Sequence, residues 1–365
     1  MFNISFSSLT ASEIREAANQ KLALNNLSDW ERDIWTFTEA FLNKKNNTFS
    51  VLTSGSTGKP KLIKLSRKQL EVSAAATINF FNLQKRNSTL LAIPASKIGG
   101  KMMIVRSALA QLNLSCVPLS ANPFNGIKLN EKFDFAPLTP MQLFNGMSDV
   151  STSKKVENLN TILLGGGEVS NLLFSKVQLL KASVFHSYGM TETASHIALR
   201  RLNGKNAQPY FETLSNISIA LDERNCLQIE APQFSKEVIA TNDIVKILSP
   251  NQFEWIGRFD NTINSGGVKI QSEAVEAKLF NFLKFRFFIA GIKDEALGEK
   301  VIIAAERSPM NKSELSKFKA LLEQKLSKYE YPKQVVFIHK FRETDTGKVQ
   351  RSESLLHTVA KLDLK

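Results

Sequence analysis

The chain has 365 residues, 43% hydrophobic and 22% charged, with 47 Lys and Arg against 34 Asp and Glu for a formal net charge of +13. That length exceeds one ordinary core, so a large and a smaller domain are expected, and the absence of low-complexity tracts or of any apolar run near ~18–20 residues excludes a disordered chain and a helical membrane span. The positive charge suits nucleic acid and polyphosphate ligands alike, but basic residues such as Lys132, Lys154, Lys155, Lys181, Arg200, Arg201 and Lys284 are scattered, with no arginine-rich block among aromatics, which argues against nucleic acid.

The opening MFNISFSSLTASEIREAANQ lacks a basic segment followed by an apolar stretch and a small-residue cleavage site, so cytoplasmic residence is expected. Residues 1 to 47 read as helical, with a Ser or Thr cap near the start and Trp30, Ile34, Trp35, Phe37 and Phe41 spaced as one core face. FSVLT reads as a strand running into the polar loop SGSTGKPK, and LIKLSRKQLEVSAAATINFFN as a strand end and a long helix, so a β-loop-α unit is the simplest expectation. The runs TLLAIPA, LSCVPL, TILLGGG and SVFHSYG each stop at Gly, Pro or Ser with helix-compatible stretches between them, the rhythm of a parallel sheet with helical crossovers. From about residue 208 the candidate strands shorten (ISIALDE, CLQIEAP, VIATNDIVKIL, FEWIGR), as in a small antiparallel sheet or barrel. After Gly257 come AVEAKLFNFLKF, FFIAGIKD, KVIIAAER, a helix over SELSKFKALLEQKLSKY and QVVFIHKF, a separate α+β domain. The expected fold class is α/β: a large domain over 1–257 with a small β region, and a small domain over 258–365. Cys116 and Cys226 stand in no metal-ligand spacing and read as reduced structural thiols.

The densest chemistry lies in Thr53-Ser54-Gly55-Ser56-Thr57-Gly58-Lys59-Pro60-Lys61. Close glycines let backbone N–H groups approach an anion, hydroxyls add donors, and two lysines add charge, which suits a polyphosphate. It is not a Walker A loop, since two residues rather than four separate Gly55 and Gly58, and Pro60 follows Lys59. Four more segments follow it in order: Ser187-Tyr188-Gly189-Met190-Thr191-Glu192-Thr193; Thr241-Asn242-Asp243; Gly257-Arg258-Phe259-Asp260 with Ile263 and Ser265-Gly266-Gly267-Val268-Lys269-Ile270; and Thr346-Gly347-Lys348-Val349-Gln350-Arg351. In this order they resemble the signatures of the adenylate-forming family that contains acyl-CoA synthetases, firefly luciferase and peptide-synthetase adenylation domains, with one departure, Asn242 where the family has Gly.

The resemblance implies an ATP-dependent enzyme that joins a small carboxylic acid to the α-phosphate and passes the acyl group to coenzyme A, with Mg²⁺ on the phosphates. By it, Thr53, Ser54, Gly55, Ser56, Thr57, Gly58 and Lys61 hold phosphate, and Gly165, Gly166, Gly167 and Glu168 border the adenine, beside which Tyr188 stacks. Thr191 donates to the α-phosphate and Glu192 is the Mg²⁺ ligand, a hard oxygen for a hard cation. Asp243 accepts from both ribose hydroxyls with Arg258 near the same sugar. Lys348 reaches the carboxylate and α-phosphate during adenylation. Asp260 is the hinge about which the small domain turns, bringing Gly266 and Gly267 to the coenzyme A side. Members of the family carry a longer segment before the phosphate loop, so the large domain is truncated relative to them.

The stretches IPASKIGGKMMIVRSAL, ILLGGGEV and SYGMTETASHIALR resemble the o-succinylbenzoate-CoA ligase branch, which serves menaquinone formation. That acid has one activated and one spectator carboxylate, so a fixed cation is expected in its pocket. Arg106 resembles the arginine that this branch places near its substrate, with Lys97, Lys101, Gly189 and His196 as further acyl-side candidates. Another aryl-acid ligase is the alternative; a nucleotide-binding protein without ligase activity and a basic nucleic-acid binder are the readings from other classes. Oligomeric state is left open, a homodimer among the options.

Overall fold

Strands form where the apolar runs break at Gly or Ser, and the exceptions have identifiable causes. A computed structural model describes residues 1–52, 61–344 and 349–364. Its contacts divide the chain into Met1–Ser218 with Glu230–Ile239, and Ile219–Ile229 with Ala240–Lys365. The expected boundary between residues 257 and 258 falls inside the second unit.

The first unit opens with β1 (Phe2–Ser5), α1 (Ala11–Leu22) and α2 (Asp29–Leu42). The helical reading of residues 1 to 47 is thus corrected at its start: Phe2 stacks on Trp30 and Trp35 of α2, and residues 2–5 are extended. Thr10 caps α1 in a reciprocal box with Glu13. Next come β2 (Thr48–Leu52) and β3 (Leu62–Ser66), paired antiparallel with Leu52 opposite Leu62, and α3 (Arg67–Phe81). The glycine loop therefore joins two paired strands rather than a strand and a helix. LIKLS alternates and pairs with TFSVL before Ser66, whose hydroxyl accepts from the Gln69 N–H, starts the helix.

A sheet follows, built from β4 (Ser88–Leu91), α4 (Ile98–Ala110), β5 (Asn113–Cys116), β6 (Phe133–Leu138), α5 (Pro140–Ser148), α6 (Val150–Val156), β7 (Leu159–Leu164), α7 (Asn171–Val177) and β8 (Ser183–Gly189). Its parallel strands lie in the order β5-β4-β6-β7-β8, with β1 antiparallel on the outer edge of β5. On the other side β9 (His196–Arg201) and β10 (Phe211–Thr213) continue antiparallel. Chain direction through this order reverses between β4 and β6, and in such sheets ligands bind beyond the carboxyl ends of the strands. Leu90, Ala136, Leu138, Ile162, Leu164 and Val184 share the core with Phe124 and Leu143. Cys116 and Cys226 are buried and free, as read, and burial pushes the Cys116 thiol up.

In the second unit β11 (Ser218–Leu221), β12 (Cys226–Glu230), β13 (Ile239–Ser249) and β14 (Gln252–Arg258) lie side by side, β13 and β14 antiparallel with Asp243 opposite Arg258. β15 (Thr262–Ser265) and β16 (Val268–Gln271) then form a hairpin whose two turn residues, Gly266 and Gly267, have φ of 60° and 83°. Two consecutive positive φ angles define the primed turn that matches strand twist, and glycine adopts them without strain. α8 (Ser272–Leu279), β17 (Phe287–Asp294), β18 (Gly298–Glu306), α9 (Lys312–Lys325), β19 (Gln334–Ile338), α10 (Arg351–Leu355) and β20 (Thr358–Asp363) complete an α+β body. Val275, Leu279, Phe318 and Leu322 of its helices cover Ile289, Ile303 and Val335 of its sheet.

One guanidinium binds this body together. Arg351 pairs with Glu273 at 3.1 Å and Glu276 at 2.8 Å, and donates to the Ile289 carbonyl at 2.8 Å. Glu273 also accepts from the Arg258 N–H and from the Asn261 side chain, which ties α8 to the segment that leaves β14. The Glu273 side chain is only 4% exposed. Arg351→Ala would leave that carboxylate buried without its cation, so denaturant unfolding should show a loss of about 3 kcal/mol; a change under about 1 kcal/mol would mean the pair is solvated.

Candidate active site

Among the described residues, two turns at the carboxyl ends of β7 and β8 carry most of the first unit's candidate nucleotide residues. Gly165, Gly166 and Gly167 follow Leu164, with Glu168 exposed beyond them. Two side chains of β8 hold this turn: Ser187 donates to the Leu164 carbonyl at 2.7 Å and His186 Nε2 to the Gly167 carbonyl at 3.1 Å. A carbonyl only accepts, so Nε2 carries the proton and Nδ1 accepts from Arg200 at 3.3 Å. Burial, with the Arg200 charge added, pushes the His186 pKa down to about 3, which keeps the imidazole neutral as this arrangement requires. Arg200 lies 5.0 Å over the Phe211 ring, and Phe211 lies 5.8 Å from Tyr188.

The turn after β8 holds Thr191 and Glu192, both half-buried. Thr193, fully buried, shapes it: its hydroxyl accepts from the Met190 N–H at 3.1 Å and donates to the Ser195 carbonyl at 2.7 Å. Gly189 has no room for a side chain, since a Cβ there would lie 2.3 Å from the Ser195 carbonyl oxygen. Glycine here lets the two backbones approach. Glu192 has no hydrogen-bond or ion-pair partner among the described residues. One hard carboxylate suits Mg²⁺, which takes its other ligands from water and substrate phosphates, and no group of three or more His, Cys, Asp or Glu forms a protein cage among the described residues.

In the second unit the β13–β14 register brings Asp243 to Arg258. Asp243 Oδ1 accepts from Arg258 at 3.3 Å and from the indole N–H of Trp255 at 3.2 Å. Arg258 also pairs with Asp260 at 2.9 Å. Asn242, where the resemblance has Gly, donates toward both Asp260 carboxylate oxygens at 3.3 Å and accepts from Arg224 at 3.1 Å. The substitution thus adds a tie to the expected hinge residue that glycine lacks. Lys61 is exposed at the start of β3. Thr53, Ser54, Gly55, Ser56, Thr57, Gly58 and Lys348 lie outside the described residues.

Of the acyl-side candidates, Arg106 and His196 come together and the lysines do not join them. Lys97 and Lys101, one helical turn apart on α4, fall on a different face from Arg106. The Lys101 ammonium sits 4.6 Å over the Phe37 ring of α2, and burial lowers its pKa. Arg106 is 2% exposed and donates to the Ser195 hydroxyl at 2.8 Å. Its Nε has no hydrogen-bond partner, and among the described residues no carboxylate pairs with it. Burial lowers its pKa to about 9, so it remains charged at neutral pH. His186, Ser195 and Trp255 were given no role from sequence, Thr193 was named only as the end of its motif, and Arg200 only as one of the scattered basic residues. Of these, only His186 had a usable signal, two residues before Tyr188 on the same strand.

Residues 8–219 match the family described as AMP-binding enzyme. The chain belongs to that family. An acyl-CoA synthetase (AMP-forming)/AMP-acid ligase II-like protein from Dyadobacter fermentans is 32% identical, with a TM-score of 0.64 over 97% of this chain and 99% of that one. This AMP-binding enzyme thus shares its short arrangement with another protein. A 2-succinylbenzoate–CoA ligase from Listeria monocytogenes is 25% identical over 345 residues, 84% of this chain and 70% of the relative. The o-succinylbenzoate coenzyme A synthetase of Bacillus subtilis, in complex with ATP and magnesium ion, is 19% identical with a TM-score of 0.69 over 84% and 69% of the two chains, a likeness of fold. No described helix is long and apolar enough to cross a membrane.

The two states of His186 give a pH dependence. Unfolded, its imidazole titrates at the ordinary 6.5; folded, at about 3. Between these values the unfolded chain holds the extra proton, so stability falls as pH drops below about 6.5. Thermal melting of His186→Gln should show a shallower decline from pH 6.5 to 4.5 than the parent, and equal slopes would contradict the neutral assignment.

Proposed function

We propose that this AMP-binding enzyme is an acid–thiol ligase that converts o-succinylbenzoate, ATP and coenzyme A to o-succinylbenzoyl-CoA, AMP and pyrophosphate through an acyl-adenylate. The observation that carries the choice of acid is Arg106, a buried cation without a carboxylate partner among the described residues. A buried charge is costly unless an anion meets it, and an acid with a spectator carboxylate supplies one. The relatives named 2-succinylbenzoate–CoA ligase support the same reading.

In the first half-reaction a carboxylate oxygen bonds to the α-phosphorus while the bond to pyrophosphate breaks. Negative charge gathers on the α-phosphate and leaving group, so fixed donors and cations contribute most to the rate. Thr191 donates to the α-phosphate, Lys348 approaches the reacting oxygens, and Thr53 to Gly58 with Lys61 hold the phosphates. Mg²⁺ on Glu192 would neutralise the phosphates. Gly165 to Gly167 and Tyr188 bound the adenine, Asp243 takes the ribose hydroxyls, and Arg258 holds Asp243 in orientation. In the second half-reaction the thiol of coenzyme A displaces AMP from the acyl carbon. For it, the segment after Asp260 turns as a separate body over 258–365 and brings Gly266 and Gly267 to the thiol side.

The test is pyrophosphate exchange. Purified protein with Mg²⁺, ATP and o-succinylbenzoate should exchange labelled pyrophosphate into ATP, and adding coenzyme A should yield a thioester; exchange with benzoate but not o-succinylbenzoate would move the assignment to another aryl acid. Arg106→Met should separate stability from affinity. Removing an unpaired buried cation should raise Tm, by about 2–4 °C, while raising the KM for o-succinylbenzoate at least tenfold. A drop in both Tm and activity would mean that Arg106 is a packing residue.

A further inference from the structure

His196 is a second buried titratable group, 6% exposed, to which the reaction above gives no task. Its ring bridges two hydroxyls, with Nδ1 3.2 Å from Ser195 Oγ and Nε2 3.3 Å from Thr77 Oγ1. The direction of each bond follows from the ends of the chain. Thr77 donates its one proton to the Ser73 carbonyl at 3.1 Å, so Thr77 Oγ1 must accept from Nε2–H. Nδ1 is then bare and accepts the Ser195 hydroxyl proton. The oxygen of Ser195 is left with lone pairs only, and it accepts from Arg106 Nη2 at 2.8 Å.

We propose that Thr77, His196 and Ser195 are positioning residues that aim Arg106 at the spectator carboxylate, and so set the preference for aryl acids with a second carboxylate over those with one. The inference rests on the ligase reading above and adds what holds the guanidinium in place. A free Arg side chain loses much rotamer freedom when it is held in one place, and proteins commonly fix it with a carboxylate. A carboxylate here would cancel the charge and compete with the substrate. A chain of neutral groups anchored on the Ser73 carbonyl of α3 fixes the fork and leaves its charge available. A protonated His196 would turn a donor toward Ser195, force that hydroxyl proton toward Arg106, and set two cations side by side. Burial, with Arg106 nearby, holds the imidazole neutral.

The chain can be cut at its far end without touching Arg106. Thr77→Val keeps the shape and removes the acceptor; Thr77→Ser keeps the acceptor and loses a methyl. The quantity measured is kcat/KM for o-succinylbenzoate divided by kcat/KM for benzoate. Thr77→Val should lower this ratio about five- to tenfold, mainly through KM for o-succinylbenzoate, the effect of losing one hydrogen bond of ordinary strength. Thr77→Ser should restore it, and Ser195→Ala, which removes the direct contact, should lower it at least as far. Ser195→Ala carries the same comparison if Thr77→Val does not fold. Equal losses for both acids, or a Thr77→Ser as poor as Thr77→Val, would reduce the chain to packing and overturn the inference. On the parent protein, ring-nitrogen NMR should find His196 with Nε2 protonated and Nδ1 bare from pH 8 to pH 6; the other tautomer or a cation overturns it without any substrate. Parent enzyme that prefers benzoate overturns the ligase assignment and this inference together, whereas a preference for o-succinylbenzoate that survives the substitutions overturns only the inference.

Discussion

The antiparallel pairing of β8 with β9 is the constraint on which the polar architecture of the first unit depends. It sets His186 opposite Arg200, and its register shifts between Tyr188 and Gly189. His186 reaches the turn after β7 from one strand, and His196 reaches α3 from the other. The close approach at Gly189 is what lets the chain double back within seven residues and place Ser195 beside α4. A residue with a side chain at position 189 would part the strands and disturb both imidazoles at once.

These two imidazoles share a logic. Each stands next to an arginine, each is kept neutral by burial and by that cation, and each has its tautomer fixed by an acceptor at the far end. Neutral imidazole is both donor and acceptor, so it can pass a hydrogen-bond constraint from a backbone carbonyl to a guanidinium without consuming the positive charge. The second unit uses the opposite device. There Arg258 and Arg351 meet carboxylates directly, Asp243 and Asp260 in one case and Glu273 and Glu276 in the other, and their charges are spent on cohesion.

The short motifs were legible in the sequence because they concentrate glycines, hydroxyls and charges within a few residues. Asp243 and Arg258 meet as neighbours across one hairpin, a distance that local reasoning spans. Contacts between distant segments were not legible. Arg106 and Ser195 are 89 positions apart, and no periodicity links them. Several strands also escaped the pattern, β6, β9 and β1 among them. β6 carries Asp134, which breaks the apolar run and is satisfied by the Ser88 N–H and by Asn87 and Asn160. β9 is hidden by its arginines, and β1 is too short to alternate clearly. Lys101 of α4 shows the same limit: composition revealed its charge, but only the fold shows that it turns to Phe37.

The strand at Phe2–Ser5 has a consequence for solution behaviour. Parallel sheets end in rows of unpaired amides, and such a row invites another chain to add itself. Here four residues cover the flank of Asn113–Cys116, held down by the Phe2 ring against two indoles. Trimming those few residues would uncover a sticky flank and leave Trp30 and Trp35 without their partner ring. The opening segment therefore covers that flank and becomes the sheet's edge itself, an edge of only four residues pinned by aromatic rings.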